Sequence, residues 1–290
     1  MDTRKLIIII SLIACNIVAV NAQSIEHALE HYYKKEITTG RDPHPYQYLR
    51  ESDILWSSLI WRAIDLREKP NQYFYYPTNP EGIDGRINLT YLIWNAAKNS
   101  LIPMFEDDEL KIPIDNDLYF ARYLVGDTIQ LEIYDDETSE EFHYETVVVP
   151  RSFYSEDVKQ YNIKEIWYID KEKSQQFVRI LGLAMIKDKY RTINGEDEYD
   201  GSFPLFWIPM QSMLVRRLFA THDAYYEDNV AHLPSWDYIF QSRFYSSYII
   251  RESNRFNRSI SDYLTGEEAM LEADKIEDKL LNIEQDMWEY

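Results

Sequence analysis

RESDILWSSLIWRAIDLREKPNQYFYYPT, residues 50–78, packs two tryptophans, three arginines and a Tyr-Tyr-Pro into one span. Leu59, Ile60, Trp61, Ala63, Ile64 and Leu66 leave both faces of an extended chain apolar, which predicts a central strand. Ser52-Asp53 followed by Ile54, Leu55 and Trp56 opens a short helix ahead of them. Pro70-Asn71 stop the strand, because proline has no N–H for a sheet ladder. Residues 73–78 then re-enter as an extended aromatic segment closed by Pro77. Asp65, Arg62 and Arg67 are costly in such a strand unless they are paired. Two readings follow: a core strand with an internal ion pair, or a strand that shows its charges to a partner.

Outward from this span, the 290-residue chain is long enough for one large domain with an appendage, and its 45% hydrophobic content supports a core. Arg4 and Lys5, the apolar run 6–14 and the small residues Val20-Asn21-Ala22 predict an export signal over residues 1–22. Leu12-Ile13-Ala14-Cys15 also resembles a lipobox, but the apolar run continues past Cys15 towards Ala22. Cleavage after Ala22 leaves no cysteine and a net charge of about −21. That balance repels a phosphate backbone, so nucleic acid is not an expected partner. The 24 tyrosines suit half-buried sheet positions or interfaces.

Before residue 50, positions 24–35 carry helix signals and 40–48 form a Pro43–Pro45 linker. This arm either packs back on the domain or reaches a neighbour. Beyond residue 78, a helix is expected over 88–98, with Leu89, Leu92, Ile93 and Ala96 as an apolar stripe, and short helices over 115–124 and 212–221. Strands are expected over 128–134 and 142–149 as a hairpin, then 164–170, 176–186 and 203–210, with Asn194-Gly195 as a turn. The 176–186 run should lie mid-sheet. The fold class is α+β: a mixed, mainly antiparallel sheet of five or six strands with flanking helices and a helical C-terminal region. Four parts are expected: the signal 1–22, a helical arm and linker 23–48, an α+β core 49–234 and a helical region 235–290. In the last, a helix from Ser235 carries Trp236, Ile239, Phe240, Arg243, Phe244 and Ser247, and a Thr265/Glu268 capping box opens another.

Charge is segregated along that last region. Residues 241–260 hold Arg243, Arg251, Arg255 and Arg258 against Glu252, about +3, whereas residues 267–290 carry about −7. Either the terminal helix neutralises the arginines, or they meet a second copy head to tail, or another partner.

Motifs for chemistry are missing. The eight glycines form no GxGxxG, P-loop or GxSxG, and the six histidines no HExxH. His27 and His31 stand four apart as a zinc pair would, without a third ligand. His222, Asp223, His232 and Asp237 are irregularly spaced, and the acidic loop 106–109 lacks calcium-loop spacing, so it reads as a solvated loop. Facing carboxylates for glycoside hydrolysis carry little information in so acidic a chain. No catalytic residue, metal or cofactor is expected. The residues alone leave an exported scaffold working through interfaces, or a glycan-binding module or glycosidase using Tyr and Trp platforms.

The blocks YLRESDILWSSLIWRAIDLREK with YYPT, KEIWYIDKEKS, VRILGLAMI, PLFWIPM, FYSSYIIRESNRFNRSISDYL and the final DMWEY resemble, in the same order, the GldN family of gliding-motility and type IX secretion proteins, also called PorN. The resemblance implies a non-enzymatic periplasmic protein of Bacteroidota. It would form a ring, as a homo-oligomer, with an outer-membrane lipoprotein (GldK or PorK) and meet the motor protein GldM or PorM. Lipidation belongs to that partner, which favours cleavage after Ala22. The expected partner contacts are Trp61, Arg62, Asp65, Arg67, Tyr75 and Tyr76 of the central stretch, and Arg243, Arg251, Arg255 and Arg258.

Overall fold

The computed structural model describes residues 41–83, 86–124, 128–134, 142–148, 152–193, 196–225 and 234–286. The expected signal, the helix over 24–35, the His27–His31 pair, His232 and the Asn194-Gly195 turn lie outside them.

A 3₁₀ turn, Glu51–Asp53, runs directly into β1, Ile54–Asp65; the short helix expected through Ile54, Leu55 and Trp56 is therefore only a turn, and the strand expected from Leu59 starts five residues earlier. Alternation sends neighbouring side chains to opposite faces. Ile60 packs with Ile249, Ala273, Ile276 and Leu280, while Trp61 packs with Ala184, Ile186 and Trp207. Residues 60–64 are therefore buried on both faces, whereas exposure alternates along the first half of the strand. The chain then forms a 3₁₀ turn, Lys69–Asn71, and one helical turn, α1, Gln72–Tyr75. The extended segment expected over 73–78 is thus helical in its first part. Asn71 causes the change: its side-chain amide donates to the carbonyls of Asp65 and Ser246, and its Oδ1 accepts from the Ser246 N–H. With the backbone clamped there, a helical turn points Tyr73 and Phe74 inward, both buried.

Next come α2, Leu89–Lys98, capped by the Asn88 side chain accepting from Tyr91 N–H at 2.8 Å; two two-residue strands, β2, Met104–Phe105, and β3, Pro113–Ile114; and α3, Asn116–Leu124. A separate hairpin pairs β4, Thr128–Tyr134, with β5, Phe142–Val148. Three long strands follow: β6, Val158–Asp170, β7, Gln175–Ile193, and β8, Glu196–Pro209. Then α4, Met213–Thr221, and α5, Trp236–Gln241, precede β9, Tyr248–Glu252, and α6, Glu267–Asp286.

The large sheet has the order β3-β2-β8-β7-β6-β1-β9, with antiparallel neighbours throughout. β7 is its middle strand, as the apolar 176–186 run predicts. The five or six strands expected included the 128–149 hairpin, which forms a sheet of its own; the large sheet reaches seven through three additions, of which β2 and β3 are too short to leave a periodic signal. The third addition is β9, and it comes with a correction. The helix from Ser235 ends at Gln241 rather than continuing past Ser247. Arg243 takes φ 53°, with Arg243 N–H on the Phe240 carbonyl and Phe244 N–H on that of Ile239, a Schellman stop. The chain then turns into β9 beside β1. The terminal helix opens at Glu267, after Gly266 at φ 62°, slightly later than a Thr265 cap implies.

Helices α2, α4 and α5 cover one face of the sheet around Ile64, Tyr161, Leu183 and Phe206. α6 covers the Ile60 end of that same face. The opposite face carries Trp61, Ala184 and Trp207 under Phe105 and Leu110 of the β2–β3 segment. Gly182 fits beneath it because an added Cβ would lie 3.3 Å from the Trp207 ring. The linker over 41–48 packs back on the domain. Arg41 pairs with Asp223 at 2.6 Å, His44 N–H donates to Asp237, and the Tyr46 ring lies 4.0 Å beneath Arg216.

Candidate functional site

The ten expected contact residues fall into two groups, and burial separates them. Arg62 sits mid-strand on the helix-covered face at 5% exposure. Its Nε donates to Ser247 Oγ at 2.9 Å and its Nη2 to the Ser247 carbonyl at 2.7 Å, and Nη2 lies 3.3 Å from Glu277 of α6. Arg62 therefore ties β1 to the approach of β9 and to the terminal helix. Of the two arginines the sequence sets beside Asp65, it is Arg67 that pairs with it, Nη2 to Oδ2 at 2.6 Å. Hydrogen bonds from the Arg67 side chain hold the Asp65 carboxyl below the usual carboxylate range, against the opposing effect of burial. Arg67 itself is exposed.

This pair sets a pH-dependent expectation. A depressed carboxyl contributes stability above its unfolded pKa of about 4 and loses it as pH falls through the lower folded value. Arg67→Ala is expected to cost about 0.2–1 kcal/mol at pH 7, the range of an exposed pair, and less at an acid pH below the unfolded carboxyl value of about 4. Urea melts at both pH values check it; a difference that persists undiminished in acid would assign the loss to packing.

Trp61 and Arg251 form a second tie on the opposite face. The Arg251 guanidinium stacks 3.6 Å over the Trp61 ring and pairs with Asp108, in the acidic 106–109 loop. Lys164 is 5.2 Å from the same ring and donates to the Asp108 carbonyl at 2.8 Å. Burial pushes the Lys164 ammonium below the usual lysine range, with Asp108 opposing it. Instead of lying free in solvent, the loop is thus pinned to the sheet by two cations, while the Asp107 carboxylate accepts from the N–H groups of Lys111 and Ile112.

Arg243 anchors the third tie. Its Nη1 meets Glu165 Oε1 at 2.6 Å, and Trp167 Nε1 donates to Glu165 Oε2 at 3.0 Å. Glu165 is wholly buried. Tyr245 closes the cluster with its hydroxyl 3.5 Å from Glu165, and burial, followed by the Glu165 charge, pushes its phenol far up. Neutralisation of Arg243 and Arg251 comes from Glu165 and Asp108, not from the terminal helix. Sequence reasoning missed both acids. Glu165 did leave a signal, a carboxylate leading into the apolar run IWYI of a strand, which calls for a counter-charge from elsewhere in the chain.

What remains at the surface is Arg67, Tyr76, Arg255 and Arg258, with Tyr75 half-buried. Tyr76 borders a groove of about 1030 Å³ lined also by Tyr73, Pro77, Tyr225, Phe244 and Tyr245. Arg255 and Arg258 sit on the turn between β9 and α6. No acid of the described residues lies within salt-bridge reach of either. The buried acids are all engaged: Asp170 with Lys173 and the Glu172 N–H, Asp223 with Arg41, Asp237 with Arg216, and Glu165 as above. His222 Nδ1 bonds the Leu218 carbonyl, and no His/Cys/Asp/Glu group among the described residues has metal-holding geometry.

Fold and site together define an α+β sheet domain whose buried charges tie chain segments to one another. The chain belongs to the GldN family: the model described as "Gliding motility associated protein GldN" matches residues 49–289, from the turn before β1 to beyond α6. Comparison with curated proteins gives no match.

Proposed function

We infer that the protein is a non-enzymatic structural component of the type IX secretion and gliding machinery. On this reading it lies in the periplasm, in a ring with an outer-membrane lipoprotein of the GldK/PorK kind, and couples that ring to the GldM/PorM motor. The family match over residues 49–289 carries the reading. The distribution of charge supports it: buried acids and arginines are engaged in holding the sheet, while Arg255 and Arg258 stand exposed together on one turn with no acid of the described residues in reach. Force passed through such a part would cross a continuous antiparallel sheet tied at three points to its coverings. The test is fractionation. The protein is expected to sediment with outer membranes when the lipoprotein is present and to be lost from them when it is deleted. Retention without the lipoprotein would overturn the reading.

A second reading, an exported glycan-binding module, is favoured by one observation, the aromatic groove around Tyr76 and Tyr225. Saturable binding of the isolated protein to a glycan array or to peptidoglycan would establish it, and loss of that binding in Tyr76→Ala would place it in the groove.

A further inference from the structure

The turn at 253–259 is built to hold a shape. The Asn254 side chain donates to the carbonyls of Glu252 and Arg258 and accepts from the N–H groups of Phe256 and Arg258. Asn257 takes the left-handed conformation at φ 50°. Arg258 lies 4.6 Å over the Phe256 ring and 5.4 Å over that of Tyr263. The result is a rigid tip showing Arg255, Arg258 and a Phe256 that is 71% exposed. A fixed cationic and aromatic tip loses little entropy on docking.

Helix α6 presents the complementary surface. Its inner stripe, Ala273, Ile276 and Leu280, packs on the sheet. At 100° per residue, Glu267, Met270, Leu271, Asp274, Asp278 and Leu281 share a stripe about 100° wide on the far side. Met270, Leu271 and Leu281 are between 50% and 70% exposed, and the three acids are exposed without an ion pair among the described residues. Glu272, Glu277 and Glu252, by contrast, are matched to Lys275, Arg62 and Lys279. One element therefore shows unmatched cations around an exposed ring, and another shows unmatched acids among exposed aliphatic side chains.

We propose that the 255–258 tip of one copy docks on the outer stripe of α6 of a second copy, Phe256 against Met270 and Leu271, with Arg255 and Arg258 facing Asp274 and Asp278. Because tip and stripe are different surfaces, the contact is heterologous and repeats. An anionic membrane would also attract the arginines, but the acidic helix follows the tip within nine residues and would be repelled by it. The inference deepens the reading of the chain as an assembling part and rests on it.

Sedimentation of the purified protein alone, without lipoprotein, tests the contact. Concentration-dependent association is expected in the native chain. Arg255→Glu/Arg258→Glu and, separately, Asp274→Lys/Asp278→Lys should each weaken it at least about tenfold, since like charges then meet. Mixing the two variants should restore it, because each supplies the surface the other now fits. Circular dichroism confirms that these exposed substitutions leave the fold intact. A native chain that stays monomeric, variants that associate unchanged, or a mixture that fails to recover overturns the proposal. So does tip-dependent binding to phosphatidylglycerol vesicles without self-association. A protein that is monomeric alone yet still follows the lipoprotein to the outer membrane removes this contact and leaves the proposed function standing.

Discussion

Glu165→Ala is expected to lower the unfolding free energy by about 3–5 kcal/mol, the penalty for orphaning a buried charge partner. Glu165 is wholly buried and is the acid that meets Arg243, 2.6 Å away, while Trp167 Nε1 also ends on it. Removing the carboxylate strands the guanidinium under Trp167 and Tyr245, with rings 5.4 and 5.9 Å away. The control is the double variant Glu165→Leu/Arg243→Leu, which removes both charges. It should recover much of the loss, since apolar replacement of a complete buried pair is often close to neutral. Urea midpoints of the three proteins decide the matter. A single variant that unfolds where the native chain does would mean that Arg243 finds water or another acid, and that this tie contributes nothing.

The second large effect is expected at Phe74. Its ring is fully buried, 5.4 Å from Trp236, 5.8 Å from Phe240 and 5.9 Å from Tyr161. It thus joins the turn after β1 to α5 and to β6. Phe74→Ala should cost about 3–5 kcal/mol, transfer and cavity terms together, and Phe74→Leu substantially less. The aromatic cluster has few ways to collapse into the hole, because Asn71 fixes the backbone three residues upstream from both sides. Equal losses for Ala and Leu would point to ring geometry rather than volume as the source of the stability.

These two residues also mark where the sequence was readable and where it was not. The second half of β1, the mid-sheet position of β7, the apolar stripe of α2 and the 128–148 hairpin were all legible, because each rests on local periodicity. The turn at Phe74 was not, since the strongly aromatic string QYFYY has the composition of a strand. What overrides it is a hydrogen bond from Asn71 to Ser246, which no local reading can supply. β9 failed for the same reason. Its YIIRE favours a strand, but the apolar spacing from Trp236 onward continues a helix on paper, and only the left-handed Arg243 breaks it. In the candidate site, charge type was legible and partners were not. That Arg62, Arg243 and Arg251 needed counter-charges followed from their surroundings, whereas Glu277, Glu165 and Asp108 lie far away in sequence. Of the ten expected contacts, the exposed arginines of the 255–258 turn keep the strongest claim, because no acid of the described residues pairs with either.

One feature of the sheet bears on how the molecule is made. Its first strand is flanked by a strand that lies roughly 190 residues later in the chain, Ile60 pairing with Glu252. Until that late segment arrives, the doubly apolar centre of β1 presents a bare row of amides and carbonyls to any extended neighbour. A product stopped short of Glu252 would carry a complete hydrophobic sheet with an open side, suited to stacking on its own kind, and quality control would have to remove it. Completion of the last fifth of the polypeptide is what turns an aggregation-prone sheet into a finished part.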